Sequence, residues 1–193
     1  MTQVTAYTNE GRYKCLEDLP IDSAELSLGY CGWERCYPGH RFGPNKRTYY
    51  VLHIITNGKG KLEKNGEVFH LTTGDAFLLC PEEEAWYEAD KKEPWAYAWI
   101  GLYGYKVKKV IQYAGFSKEK SIRSLKCTAL LKSYVDEILE VHRLTTEESM
   151  RRNGYLNLFL ATLIEDNEKF NTKTMPEHTY PGTVYVEHAM EFL

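Results

Sequence analysis

The chain has 193 residues, enough for one core plus an appendage, and its 43% hydrophobic and 26% charged residues exclude a disordered chain. A formal net charge of -3 argues against a surface that grips nucleic acid unaided. Five cysteines (Cys15, Cys31, Cys36, Cys80, Cys127) form no Cys-x-x-Cys pair and follow no secretory signal, and no apolar run reaches membrane-spanning length. Free buried thiols and a cytoplasmic protein are therefore expected.

The first half reads as strands and turns. Segment 1–20 has no strong periodicity. Residues 25–37, "ELSLGYCGWERCY", are extended and aromatic-rich, and 38–44, "PGHRFGP", has the Pro/Gly spacing of a loop. "TYYVLHIIT" (48–56) is β-branched and aromatic, a strand, and "NGKG" turns the chain. Asn65-Gly66 lies between two short strands, the pair that most readily supplies the positive φ of a tight hairpin. "TTGD" (72–75) turns again before the buried strand "AFLLC" (76–80). Glu82, Glu83 and Glu84 read as a solvated loop after Pro81, and "WAYAWIGLY" (95–103) is the last clear strand. Strands this short and close suggest a sandwich or small barrel. With 15 Tyr and 4 Trp, the aromatics suit either a β-rich core or an aromatic-lined pocket.

The second half changes period. "KVKKVIQYAGF" (106–116) reads as a helix ending near Gly115. Residues 128–144 put Leu131, Tyr134, Val135, Ile138 and His142 on one helical face. Residues 145–170 read as a second helix, opened by a capping box of Thr145 and Glu148. Its later part is apolar over a wide arc, so the pair must cover the barrel or a second copy of itself. Residues 168–182 are polar, with two prolines, a linker. "TVYVEHAMEFL" then shows helical spacing up to the last residue without a cap, which reads as a helix that continues.

In this order the motifs "YYVLHIITNGKG" (49–60), "HLTTGDAFLLCPEEEAWYEAD" (70–90) and "EPWAYAWIGLYG" (93–104) resemble a cupin β-barrel. More narrowly, they resemble the N-terminal effector-binding and dimerisation domain of AraC/XylS-type transcription regulators. "CYPGHRFGP" is similar to a branch that regulates sugar-utilisation operons. The resemblance implies a mainly β fold, a cupin-like jelly-roll barrel followed by an antiparallel helix pair. It divides the chain into a ligand-binding barrel with an N-terminal arm (1–105), a helical dimerisation region (106–167), and a linker with the truncated first helix of a missing helix-turn-helix DNA-binding domain (168–193). It implies a homodimer that touches DNA only through that missing domain, and no membrane partner.

Metal-binding cupins carry a His-x-His, a glutamate and a further histidine. Here those places fall in "GPNKR" (43–47), at about Val51 and at Trp86, so no metal, no cofactor and no catalytic residue are expected. An organic-ligand pocket is expected instead. Arg47, Tyr49, Val51, His53 and Ile55 share one strand face by the period of two, and the count makes it the inward one. Trp95, Tyr97 and Trp99 share another face, and Trp86 and Tyr87 are placed at the barrel mouth. The resemblance implies aromatic stacking on a sugar at positions matching Tyr97, Trp99 and Tyr87. The candidate ligand-binding set is therefore Arg47, Tyr49, His53, Trp86, Tyr87, Tyr97 and Trp99, for a small-molecule effector such as a mono- or oligosaccharide. Trp95 and Trp99 are equally read as barrel core. Two rival readings stay open: a metal-dependent cupin enzyme such as a sugar isomerase, and a dimerisation module with no ligand.

Overall fold

A computed structural model describes residues 6–170. The expected tail helix and all but the start of the expected linker lie outside the described residues. Two antiparallel sheets face each other. One has the order β1 (Ala6–Asn9), β2 (Tyr13–Glu17), β3 (Ser27–Arg35), β10 (Ala96–Tyr103), β5 (Tyr50–Asn57), β8 (Asp75–Leu79) and β11 (Ile122–Ser124). The other has β4 (Arg41–Lys46), β9 (Glu84–Ala89), β6 (Lys59–Lys64) and β7 (Glu67–Thr72). This is a cupin-like jelly-roll barrel, mainly β with helices at its C-terminal side. The β6–β7 hairpin turns at Asn65 and Gly66, both at positive φ (53° and 78°), as its sequence demands.

The period of two sorts the strands between two cores. Val51, Ile55, Phe77, Leu79, Trp95, Tyr97 and Trp99 meet Leu62, Leu71, Ala85, Tyr87 and Ala89 between the sheets. Leu52, Ile54, Leu78, Ala98 and Ile100 face the opposite way, onto the helices. Those helices are α1 (Val107–Tyr113), α2 (Thr128–Glu140) and α3 (Thr146–Phe170). Leu131, Val135, Ile138, Leu156, Phe159 and Leu163 bury their apolar stripes in that second core. The helices α2 and α3 run antiparallel. Arg152 donates to the Val141 and Arg143 carbonyls, Tyr155 to Glu137, and Asp166 accepts from the Lys126 amide. The Thr145 hydroxyl caps α3 by accepting from the Glu148 amide at 3.4 Å.

The structure corrects four local readings. Segment 6–17 is two strands, and β2 pairs with β3 at one side of the large sheet. The 38–44 loop gives way to β4 at Arg41, with the irregularity confined to Gly43 and Pro44 between its pairs to β9. The helix read over 128–144 stops at Glu140, so His142 leaves the buried stripe and stacks flat on Tyr7, ring centroids 4.2 Å apart. Glu83 is not solvated: it is buried against Lys64. In each case a partner distant in sequence decides the outcome, and local spacing carries no trace of it.

Candidate functional site

A cavity of about 110 Å³ opens between the sheets, lined by Tyr13, Glu17, Tyr30, Glu34, Phe42, Arg47, His53, Tyr87, Tyr97 and Trp99. Four strands build it by alternation. β2 offers Tyr13 and Glu17, β3 offers Tyr30 and Glu34, β5 offers His53, and β10 offers Tyr97 and Trp99. Phe42 and Tyr87 come from the facing sheet and stack at 5.3 Å. Gly32, opposite Trp99 in the β3–β10 register, has no side chain because the Trp99 ring lies where a Cβ would stand. An alanine there would meet both the indole and the Lys14 carbonyl of β2, so ring and strand pairing would have to give.

The rings form a continuous wall. Tyr13 and Tyr97 each pack on Trp99 at 5.7 Å, and Tyr97 meets Tyr87 edge-on at 5.8 Å. Polar groups are fixed within it. Arg47 donates to the Tyr30 hydroxyl at 3.0 Å, and its guanidinium lies 5.1 Å from the Phe42 ring. Tyr97 donates to Glu34 at 3.0 Å. His53 stacks on Phe77 at 4.4 Å, and its Nε2 is 3.3 Å from the Tyr87 hydroxyl. Its buried Nδ1 has no hydrogen-bond partner among the described residues. Burial pushes the Tyr87 phenol up to about 12 and raises those of Tyr30 and Tyr97 further, so all three are neutral hydroxyls near pH 7.

Burial, and then the Arg47 charge, hold the His53 imidazole well below its ordinary 6.5. With the folded value depressed, the unfolded chain takes up this proton first. The associated stability is present above 6.5 and is lost progressively as pH falls below it. His53→Gln is expected to flatten the acid limb of stability by up to about 1.4 kcal/mol per pH unit. Urea unfolding from about pH 7.5 down to about 5 measures it, and coincident limbs in the two proteins would refute it.

Of the seven residues singled out from the sequence, Arg47, His53, Tyr87, Tyr97 and Trp99 are brought to this cavity. Tyr49 stands behind the wall, packed on Tyr30 at 5.3 Å and Tyr103 at 4.6 Å. Trp86 is a correction. Ala85, Tyr87 and Ala89 point inward, so the intervening Trp86 must point outward. It lies on the outer face under Arg41 (3.8 Å) and Lys61 (5.0 Å), both held by Glu88. Tyr13, Glu17, Tyr30, Glu34 and Phe42 were missed. For β3 the alternation in "GYCGWERC" was a usable signal, while Tyr13 and Glu17 become visible only once β2 is paired. The metal set of related barrels does not fit here. Its places hold an inward Val51, the Arg47 cation and an outward Trp86.

Residues 27–152 match the family model described as the AraC-like ligand binding domain. The Msm operon regulatory protein of Streptococcus mutans is 34% identical over 150 residues, 77% of this chain and 54% of that protein. The lactose operon transcription activator of Staphylococcus xylosus is 36% identical over 89 residues, covering 46% of this chain and 31% of its own. The raffinose operon transcriptional regulatory protein of Pediococcus pentosaceus is 38% identical over 94 residues, 48% and 33%. The matched region is thus about half the length of the first relative and about a third of the other two. No described helix is long and apolar enough to cross a membrane.

Proposed function

Because the chain belongs to the family of AraC-like ligand-binding domains, we propose that the cavity between its sheets senses a sugar, with one pyranose ring of a mono- or oligosaccharide as the occupant. The carrying observation is the pairing of flat aromatic faces (Tyr13, Tyr97, Trp99) with fixed hydrogen-bonding groups (Arg47, Glu34, His53) around a cavity of about 110 Å³, which widens by ring movement to take a pyranose. Apolar C–H faces suit the first set and hydroxyls the second. The operons named for the relatives make galactose-bearing sugars the first to try. The reading is of a sensor without catalysis. Tyr87 is too weak an acid and His53 too weak a base for the pair to trade a proton near neutrality.

In this reading the barrel and its arm sense, the helical region dimerises, and DNA is touched by helix-turn-helix units after the linker. Leu130, Met150 and Leu158 on α2 and α3 are 47%, 70% and 49% exposed, and they support a second copy as the helices' partner. Occupancy then biases the arrangement of the two copies, which is linkage and no more.

A panel of lactose, raffinose, melibiose, galactose and unrelated sugars tests the sensing reading by melting temperature and Trp fluorescence. A binder at a hundredfold excess over its Kd is expected to add about 2.7 kcal/mol of stability. No shift with any sugar would overturn the reading.

A further inference from the structure

In the segment "ERCYPGH" (34–40) Glu34 alone lines the effector cavity, and the segment assembles three donors of different chemistry. Glu34 and Cys36 are two residues apart at the end of β3, so both side chains leave on the same face. The chain then doubles back. Pro38 and Gly39 occupy the middle of a turn closed by the His40 amide donating to the Tyr37 carbonyl at 3.0 Å. Gly39 supplies the required φ of 70°. That turn returns His40 to the pair it has just left. One ligand atom from each of Glu34, Cys36 and His40 lies within 4.8 Å of the others, and His40 Nε2 is 3.5 Å from Glu34 Oε1.

We propose that Glu34, Cys36 and His40 bind one divalent cation of the zinc class, a site distinct from the metal position of related barrels. Thiolate, imidazole and carboxylate together are the donor mixture such an ion prefers, and three protein ligands leave a fourth position for water. Metal–ligand lengths of about 2.0–2.3 Å place ligand atoms about 3.4–3.8 Å apart, so rotamer adjustment of roughly 1 Å closes the shell. Cys36 is buried and held on rigid backbone, while His40 is part-exposed and admits the ion from outside. Glu34 and Cys36 also border an open groove of about 770 Å³, a route for the water ligand.

The surroundings suit the role. Arg12 has its donors engaged on backbone: it donates to the Arg35 and Cys36 carbonyls and lies 4.3 Å over the Tyr37 ring. Tyr97 donates to the second oxygen of Glu34, orienting the carboxylate as a partner behind a metal ligand does. The ion would pin the 37–40 turn and, directly after it, the strand that carries Phe42 to the effector cavity.

The test takes the full 193-residue chain, reduced and stripped with a chelator, and titrates it with Co²⁺ as a spectroscopic stand-in. The expected result is one equivalent bound, with a thiolate-to-cobalt charge-transfer band, tetrahedral ligand-field bands, and displacement by Zn²⁺. Cys36→Ser is expected to abolish the charge-transfer band. His40→Asn, at a part-exposed position where folding is not at stake, is expected to weaken binding about tenfold or more. Absence of the band, its persistence in Cys36→Ser, or unchanged affinity in His40→Asn would each overturn the proposal. Sugar binding is read separately, so either result leaves the effector reading to its own test.

Discussion

Lys64→Met is expected to lower the unfolding free energy by about 3–5 kcal/mol, the cost of leaving a buried charge without its partner. Lys64 Nζ lies 2.9 Å from Glu83 Oε2, with the two side chains 3% and 2% exposed. Lys64 also donates to the Lys118 carbonyl, and Glu83 accepts from the Cys80 amide at 3.0 Å. The remaining oxygen, Glu83 Oε1, is buried with no hydrogen-bond partner among the described residues. Removing the lysine therefore strands a buried carboxylate that keeps one backbone donor, the Cys80 amide. Lys64→Met combined with Glu83→Leu is expected to recover most of the loss, since an apolar pair of similar volume avoids desolvation altogether. Urea unfolding of the two proteins decides it. A single-variant loss below about 1 kcal/mol would mean that the pair behaves as a surface one.

Arg47→Leu is expected to weaken binding of whichever sugar the panel identifies by about 10- to 100-fold, with a smaller change in stability. A hydrogen bond from a charged donor contributes about 1.5–3 kcal/mol, and each 1.4 kcal/mol is a factor of ten. Arg47 is the one cationic side chain among the cavity-lining residues, and its guanidinium rests on Tyr30 and Phe42 with donors to spare. Calorimetric titration measures the effect. Trp86→Ala is the matched control, because its ring lies outside the cavity, and binding there should stay within experimental error. An unchanged Kd in Arg47→Leu would remove the guanidinium from the recognition scheme.

The contrast between Trp86 and Tyr87 shows what was legible in the sequence. The turn residues and apolar runs identified the barrel, and the alternation in "YYVLHIIT" and "WAYAWIG" oriented β5 and β10 correctly, with His53, Tyr97 and Trp99 facing the barrel interior. The same rule applied to β9 would have separated Trp86 from Tyr87, since neighbours on a strand cannot share a face. Distance along the chain from Pro81 alone puts both at the barrel mouth. Other failures were not repairable from local pattern. "YKCLE" gives no strand signal of its own, and Tyr13 and Glu17 reach the cavity only because β2 pairs with β3. Glu83 sits in a run of three glutamates that resembles solvent-facing loop. Only the fold brings Lys64, nineteen positions earlier, against it.

β5 and β10 are a partition one peptide thick between two rooms. On one side His53, Tyr97 and Trp99 face the cavity; on the other Leu52, Ile54, Ala98 and Ile100 carry the weight of α2. β2 repeats the arrangement, with Tyr13 on the cavity side and Glu17 at its exposed rim while Lys14 grips Glu140 at the last turn of α2. Close-packed interiors do not absorb displacement, so a ring that shifts to admit a ligand shifts the backbone on which the helix leans. No hinge or relay loop is needed between cavity and helix. The converse holds too: substitutions on the helix-facing side of these strands should retune a pocket they never touch.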